Sequence, residues 1–160
     1  MFIGFDERSA ARFASLRGTY HDRQFRKDCT GSDKRFGFQM GAAPSQRLYI
    51  FESPIDAMSH ASLVDDWRRD NRLSLAGTSG TALPHYLNTH PHIRELVLCL
   101  DNDPAGREAA TAIAEKYAAL GFTTRIELPQ SKDYNADLLK NIELRQRQKS
   151  TVKLHNDICR

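Results

Sequence analysis

Three acidic segments follow apolar runs of the chain. Glu52 comes directly after Leu48-Tyr49-Ile50-Phe51, and Asp101 and Asp103 come after Glu95-Leu96-Val97-Leu98-Cys99-Leu100. Asp133 lies in Lys132-Asp133-Tyr134-Asn135, shortly after Thr123-Thr124-Arg125-Ile126-Glu127-Leu128. If the apolar runs are strands of one sheet, these acids collect at one edge. Carboxylates crowded there repel one another and resist ionising together. A divalent cation removes that conflict. Oxygen ligands in this number suit Mg²⁺ or Mn²⁺, which keep several waters and take one or two carboxylates.

Local geometry adds to this. In an extended Asp101-Asn102-Asp103 the two carboxylates point to one side, and Gly106 leaves room for a phosphate or metal-bound water beside the backbone. Asp103 also reads as the cap of a helix opened by Pro104. Asp56 reads as a first-turn acid favoured by a helix dipole. The turn Gly77-Thr78-Ser79-Gly80-Thr81 can turn backbone N–H groups toward a phosphate, although it lacks the lysine of an ATP-binding loop. Lys132 and Arg107 can touch phosphates or stand as solvated surface charges.

Positioning these groups needs a particular framework. Leu48–Phe51 is a continuous apolar run, the mark of a strand buried on both faces. Ser53 then caps a helix with Pro54 at its first position, running to about Arg69, where Leu63 and Trp67 share a face. Leu73–Ala76 is a short strand, Ala82–Asn88 a short helix and Glu95–Leu100 the clearest buried strand. Pro104 opens a helix to Leu120, with Gly121 as its stop. Thr123–Leu128 is a fourth strand, and a last helix spans about Asn135–Gln148. Strand–helix alternation of this kind builds a mainly parallel sheet with right-handed crossovers and helices on both faces. Ligands in such sheets bind at the carboxyl ends of the strands, where the acids fall.

Residues 1–47 read differently, as a small β-rich extension. Phe2–Phe5, Arg12–Arg17 and Arg35–Met40 alternate as strands do, and Gly18–Lys34 is polar and loop-like. Residues 1–48 carry a net charge of +4 and the remainder −1, compatible with a nucleic-acid or nucleotide partner. Tyr20, Phe25, Phe36 and Phe38 lie among Arg17, Arg23, Arg26, Lys27, Lys34 and Arg35, an arrangement that either stacks bases and grips phosphates or forms a small apolar cluster. His85, His90 and His92, near Pro84 and Pro91, read as exposed loop histidines. Residues 48–148 form the main domain and 149–160 a polar tail.

The chain has 160 residues, enough to bury a core without disulfide or metal staples. Cys29, Cys99 and Cys159 are odd in number and widely spaced, fitting neither a disulfide framework nor a zinc finger. No apolar run approaches the ~20 residues of a membrane span, and the start lacks a signal-peptide pattern. A cytoplasmic, non-membrane setting is expected.

Phe51-Glu52-Ser53-Pro54-Ile55-Asp56-Ala57 followed by Leu100-Asp101-Asn102-Asp103-Pro104-Ala105-Gly106-Arg107 resembles the Toprim domain of bacterial primases, type IA and II topoisomerases and several nucleases. The resemblance covers about residues 48–140, and the Lys132–Asn135 loop looks like the third acidic segment of primase-type members. Gly31-Ser32-Asp33-Lys34-Arg35-Phe36-Gly37-Phe38 resembles the segment before Toprim in primase-like proteins of plasmids and integrative elements. There an uncharacterised domain precedes Toprim, and a zinc-binding module often stands further upstream.

The resemblance implies an α/β Toprim (Rossmann-like) fold with about four parallel strands. It assigns Glu52 as general acid/base and Asp101, Asp103 and Asp133 to Mg²⁺ or Mn²⁺, with Asp56 beside the metal. Gly77, Gly80, Gly106, Arg107, Lys132, Lys34 and Arg35 become candidates for phosphate or nucleic-acid contacts. The implied function is metal-dependent phosphoryl or nucleotidyl transfer in DNA replication by a primase-like protein of a mobile element. The alternatives are a metal-dependent nuclease or nicking domain and a non-catalytic single-stranded DNA-binding module. Single-stranded DNA and nucleotides are the implied partners, with an upstream zinc-binding, helicase or relaxase domain or protein. Whether the chain is a fragment or a stand-alone unit stays open. A strand-cleaving topoisomerase needs a tyrosine nucleophile, and nothing marks Tyr49, Tyr86 or Tyr134 as one.

Overall fold

Alternation along each strand sends successive side chains to opposite sheet faces, and the larger sheet of this protein is built on that rule. The computed structural model describes residues 1–18, 25–41, 44–75, 77 and 80–158, with side chains to residue 150. In chain order the elements are β1 Phe2–Phe5, β2 Ala11–Arg17, β3 Arg26–Asp28, β4 Gln39–Met40, β5 Arg47–Phe51, α1 Pro54–Leu63, β6 Asn71–Ser74, α2 Ala82–Thr89, β7 Glu95–Leu98, α3 Pro104–Ala119, β8 Thr123–Ile126 and α4 Tyr134–Ile158.

The five-stranded sheet has the order β4-β6-β5-β7-β8. β6, β5, β7 and β8 run parallel, which gives the four parallel strands expected. β4 adds an antiparallel edge, although it lies on the N-terminal side of the boundary expected at residue 48. Leu48 and Ile50 of β5 join Leu73, Leu96, Leu98, Leu83, Tyr86, Ala110 and Tyr117 in one core, beneath α2 and α3. Phe51 joins Val97, Cys99, Ala57 and Tyr134 on the other face, beneath α1 and α4. Helices thus cover both faces, as buried parallel strands require.

β1, β2 and β3 form a separate antiparallel sheet. Residues 33–38 join it to the larger one through two close backbone approaches. A Cβ on Gly4 would fall 1.7 Å from the Phe36 carbonyl oxygen, and one on Gly37 would fall 2.1 Å from that of Ser74. The Ser74 N–H also donates to the Phe38 carbonyl at 2.8 Å. Phe36 packs with Phe13 in a small core, and Phe38 meets the Phe2 ring edge-on at 5.5 Å. Phe36 therefore belongs to a small apolar cluster, and Phe38 lies against Phe2. Tyr20, Arg23, Thr78, Ser79 and Cys159 lie outside the described residues.

Several local expectations change. α1 stops at Leu63, not Arg69, because Val64 turns extended and Asp66 caps a separate 3-10 turn at Trp67–Arg69. Trp67 therefore leaves the helical face of Leu63, and the Arg68 guanidinium covers its ring at 4.6 Å. α4 continues past Gln148 to Ile158, so a helix runs into the stretch read as an unpatterned tail. Pro84 sits in the first turn of α2, where a missing N–H costs nothing, so His85 is helical rather than in a loop. His85 meets Phe36 edge-on at 4.5 Å and His90 stacks on Tyr86 at 3.9 Å. His92 alone of the three is exposed. No helix among the described residues is long and apolar enough to cross a membrane.

Candidate active site

Strand ends and helix starts deliver the carboxylates together. Glu52 follows β5, Asp101 and Asp103 follow β7, and Asp133 precedes α4. All four, with Asp56 of α1, line a single cavity of about 400 Å³, and Ser53, Gly77, Gly80, Gly106 and Lys132 border it too. The spacing of the acids in the sequence therefore becomes a cluster in space.

Each acid is held differently. The Ser53 hydroxyl accepts from the Asp56 N–H at 3.3 Å, capping α1, and donates to Asp56 Oδ2 at 2.5 Å. Asp56 Oδ1 accepts from the Asn135 N–H at 3.3 Å, which ties α1 to the start of α4. Asp103 Oδ1 accepts from the Gly106 N–H at 2.9 Å, and Asp133 Oδ1 accepts from the Ala136 N–H at 2.7 Å. Both are therefore helix caps, and their second oxygens make no protein hydrogen bond among the described residues. The Glu52 carboxylate accepts none among them either.

Asn102, between the paired aspartates, locks the two acidic loops together. Its N–H donates to the Lys132 carbonyl at 2.7 Å, and its Nδ2 donates to the Pro129 carbonyl at 3.0 Å. Arg107 donates to Asn102 Oδ1 at 2.7 Å and to its carbonyl at 3.1 Å. Arg107 thus braces the loop instead of lining the cavity. Gly106 borders the cavity and packs against the loop before α3. The space beside it belongs to the Asp101 backbone, whose carbonyl oxygen would lie 2.1 Å from a Cβ there. Gly77 and Gly80 adopt positive φ, 99° and 63°, the left-handed turn that glycine tolerates.

The electrostatics are those of crowded carboxylates. Burial, then the charges of Glu52, Asp56, Asp133 and Asp103, push Asp101 up to about 7. Burial raises Asp56 too; the Ser53 hydrogen bond opposes it, Asp133 adds to it, and the Asn135 hydrogen bond and the Arg17 charge also oppose it. An all-oxygen donor set under this repulsion fits Mg²⁺ or Mn²⁺. Among the described residues no group of three or more His, Cys, Asp or Glu side chains is placed so as to hold a metal ion.

Lys34 and Arg35 are directed elsewhere. Lys34 pairs with Asp28 at 3.4 Å and Arg35 with Asp33 at 2.6 Å. Among the described residues the cations that line the cavity, besides Lys132, are Arg17 of β2 and Arg26 of β3. They stand opposite each other in the sheet register. Sequence reasoning placed both only within a general basic region. The signal that finds them is strand pairing, which puts paired residues on one face. Neither Tyr86 nor Tyr134 is placed as a nucleophile at this site. Tyr86 is buried in the core and pushed up to about 12 by that burial. The buried Tyr134 hydroxyl donates to the Glu127 carbonyl at 3.0 Å.

A family model described as Toprim-like matches residues 49–138. No curated protein matches the chain. Among solved structures, the primase fragment of the bacteriophage T7 primase-helicase protein is 20% identical, with a TM-score of 0.63 over 87% of this chain and 57% of that one. A DNA primase domain from Pseudomonas aeruginosa is 19% identical, with a TM-score of 0.58 over 85% of this chain and 45% of that one. A structure of the T7 lagging-strand DNA polymerase with primase domains of two gp4 subunits, an RNA/DNA hybrid and dTTP matches at 17% identity. Its TM-score is 0.57, over 92% of this chain and 74% of that one. The chain spans about half the length of the first two.

Proposed function

Because the chain belongs to the Toprim-like family, we propose that it carries out dication-dependent nucleotidyl transfer on nucleic acid, as a primase-like protein acting with single-stranded DNA and nucleotides. The observation that carries this reading is the convergence of Glu52, Asp56, Asp101, Asp103 and Asp133 on one cavity at the strand ends. The fold likeness to two primase structures supports the choice of reaction. The likeness of residues 31–38 to the segment before Toprim in plasmid and integrative-element proteins supports a mobile-element setting.

Each residue has a task. Glu52, with no hydrogen bond to its carboxylate among the described residues, takes the proton from the attacking hydroxyl or returns it to the leaving one. Asp101 and Asp103 would hold Mg²⁺ or Mn²⁺, with Asp133 beside them. The bound ion would supply positive charge against the phosphoryl oxygens as negative charge builds there. Asn102 keeps the Asp101 and Asp133 loops at fixed separation, and Asp56 joins α1 to α4 behind them.

The test is incorporation of labelled nucleotides on unlabelled single-stranded DNA, with end-labelled DNA in a parallel lane. Products that need nucleotide and dication, and that vanish in Glu52→Gln, support the reading. Shortening of the labelled DNA without nucleotide would replace it with a nuclease.

A further inference from the structure

Tyr134 follows Asp133 directly and opens α4, yet no step of the transfer uses it. Its ring is 7% exposed and lies in the core beneath α1 and α4 with Phe51, Ala57, Val97 and Cys99. The neighbours of that ring lead to different acids of the cavity. Phe51 meets it edge-on at 5.7 Å and immediately precedes Glu52. His60 meets it edge-on at 5.1 Å and lies on α1, one turn beyond Asp56. Cys99 shares its core and stands just before the Asp101 loop. The Tyr134 hydroxyl donates to the Glu127 carbonyl at 3.0 Å, and the Glu127 N–H donates to the Leu98 carbonyl of β7 at 2.9 Å.

The acids cannot set their own spacing. Carboxylates brought together push one another apart, and burial with that mutual charge is what raises Asp101. Glu52, Asp101, Asp103 and Asp133 stand on connections between strands and helices, outside the hydrogen-bonded ladder. Their separation is therefore fixed from behind. The Asn135 N–H on Asp56 joins α1 to α4, and the Asn102 N–H on the Lys132 carbonyl joins the two acidic loops. Each of those links joins two segments. The Tyr134 side chain meets the end of β5, the inner face of α1 and the end of β8 together.

We propose that Tyr134 is a positioning residue, whose buried ring and hydroxyl fix Asp133 against Glu52 and Asp101 at the separation a bound dication needs. Consecutive Cα atoms lie about 3.8 Å apart, so a displacement of the Tyr134 backbone passes to Asp133 almost whole. Edge-on aromatic pairs hold a preferred angle as well as a distance. A leucine of similar reach fills part of the space but has no ring to hold Phe51 and His60 at those angles. The role does not require Tyr134 to touch substrate. Its hydroxyl stays protonated and keeps donating to Glu127, because burial raises it far above its usual value. This inference deepens the nucleotidyl-transfer reading and rests on it.

The experiment measures Mn²⁺ binding to the full chain through the electron paramagnetic resonance signal of the free ion. Labelled-nucleotide incorporation is followed against Mn²⁺ concentration on the same preparations. Tyr134→Phe keeps the ring and removes the bond to Glu127, and it weakens Mn²⁺ binding by about 5-fold, the scale of one neutral hydrogen bond. Tyr134→Leu removes the ring as well and weakens binding by about 10-fold or more, the scale of two edge-on pairs. In Tyr134→Phe the Mn²⁺ concentration for half-maximal incorporation rises, and the rate at saturation matches wild type because every acid remains. Leu83→Ala, in the core on the other face of the sheet, lowers the melting temperature and binds Mn²⁺ like wild type. Wild-type affinity in Tyr134→Phe overturns the inference, as does the absence of Mn²⁺ binding by the wild type. Equal weakening in Leu83→Ala also overturns it, since the effect is then one of general stability. The two readings fail separately. Mn²⁺ binding that follows Tyr134 without any incorporation removes nucleotidyl transfer and keeps the positioning role. Incorporation with a dication affinity indifferent to Tyr134 removes the positioning role and keeps the transfer.

Discussion

Gly106 rests directly on the backbone of Asp101. A Cβ at that position would stand 2.1 Å from the Asp101 carbonyl oxygen and 2.9 Å from its carbonyl carbon. The first turn of α3 and the end of β7 are therefore in register only while residue 106 has no side chain. Asp103 completes the arrangement by capping the same turn through the Gly106 N–H.

From that contact follows the effect of Gly106→Ala. In an open helix this change gains up to about 1 kcal/mol. Here the clash outweighs it, and the variant loses about 1–3 kcal/mol of stability as overpacked positions do. Denaturant unfolding measures the loss. Dication-dependent activity falls with it, because Asp101 is displaced.

Asp101 makes stability depend on pH in a defined direction. Its carboxyl is raised by burial and by four neighbouring acids to about 7, above the unfolded value of about 3.9. The folded chain therefore holds the proton more tightly. This contribution is fully present below about pH 4 and is lost as pH rises through about 7. Without metal, melting temperature falls between about pH 4 and 7 and levels off above that. Mg²⁺ restores more at the upper end, where it competes with fewer protons, and Asp101→Asn flattens both responses.

His60 acts in the opposite direction. Buried on the inner face of α1, it accepts from Arg72 Nε at 3.2 Å on Nδ1. Its proton therefore sits on Nε2, which faces Glu127 at 3.9 Å. The rings of Tyr49, Phe51 and Tyr134 surround it. Burial first, then the charge of Arg72, lowers it to about 4, with Asp70 opposing. The contribution of a neutral His60 is intact above its unfolded value near 6.5 and is lost as pH falls toward 4. The loss amounts to about 3 kcal/mol at most. Urea unfolding at about pH 7 and pH 5 reads it, and His60→Gln makes the pH slope shallower.

Asn102→Ala removes the side-chain bonds to Pro129 and Arg107 and keeps the backbone bond to Lys132. We expect a loss of about 1–2 kcal/mol and weaker Mg²⁺ binding, because the Asp101 and Asp133 loops separate. Titration calorimetry with Mg²⁺ checks the second effect. Unchanged affinity would mean that the backbone bond alone sets the spacing.

Much of this site is legible along the chain because its acids follow uninterrupted apolar runs, and such runs become buried parallel strands. Glu52, Asp101 and Asp133 could be placed at one sheet edge for that reason. The arginines of the small sheet could not, because two close approaches, at Gly4 and Gly37, decide where that sheet sits. Both are backbone contacts between distant segments and leave no periodic trace. Gly106 reads from sequence as room for a ligand, since a glycine near acids looks the same whether phosphate or the chain's own carbonyl fills the space. The end of α1 was hidden because Asp66 caps a new turn immediately after Val64, so the polar pattern continues without a break.

The most direct test of the central claim is incorporation of labelled nucleotides on single-stranded DNA by the full chain, with and without Mg²⁺ or Mn²⁺, beside Glu52→Gln and Asp101→Asn. The account predicts products that require the dication and that fall by at least about 100-fold in each variant, the scale of a lost general acid/base. Products that persist in both variants, or form equally without dication, would contradict it.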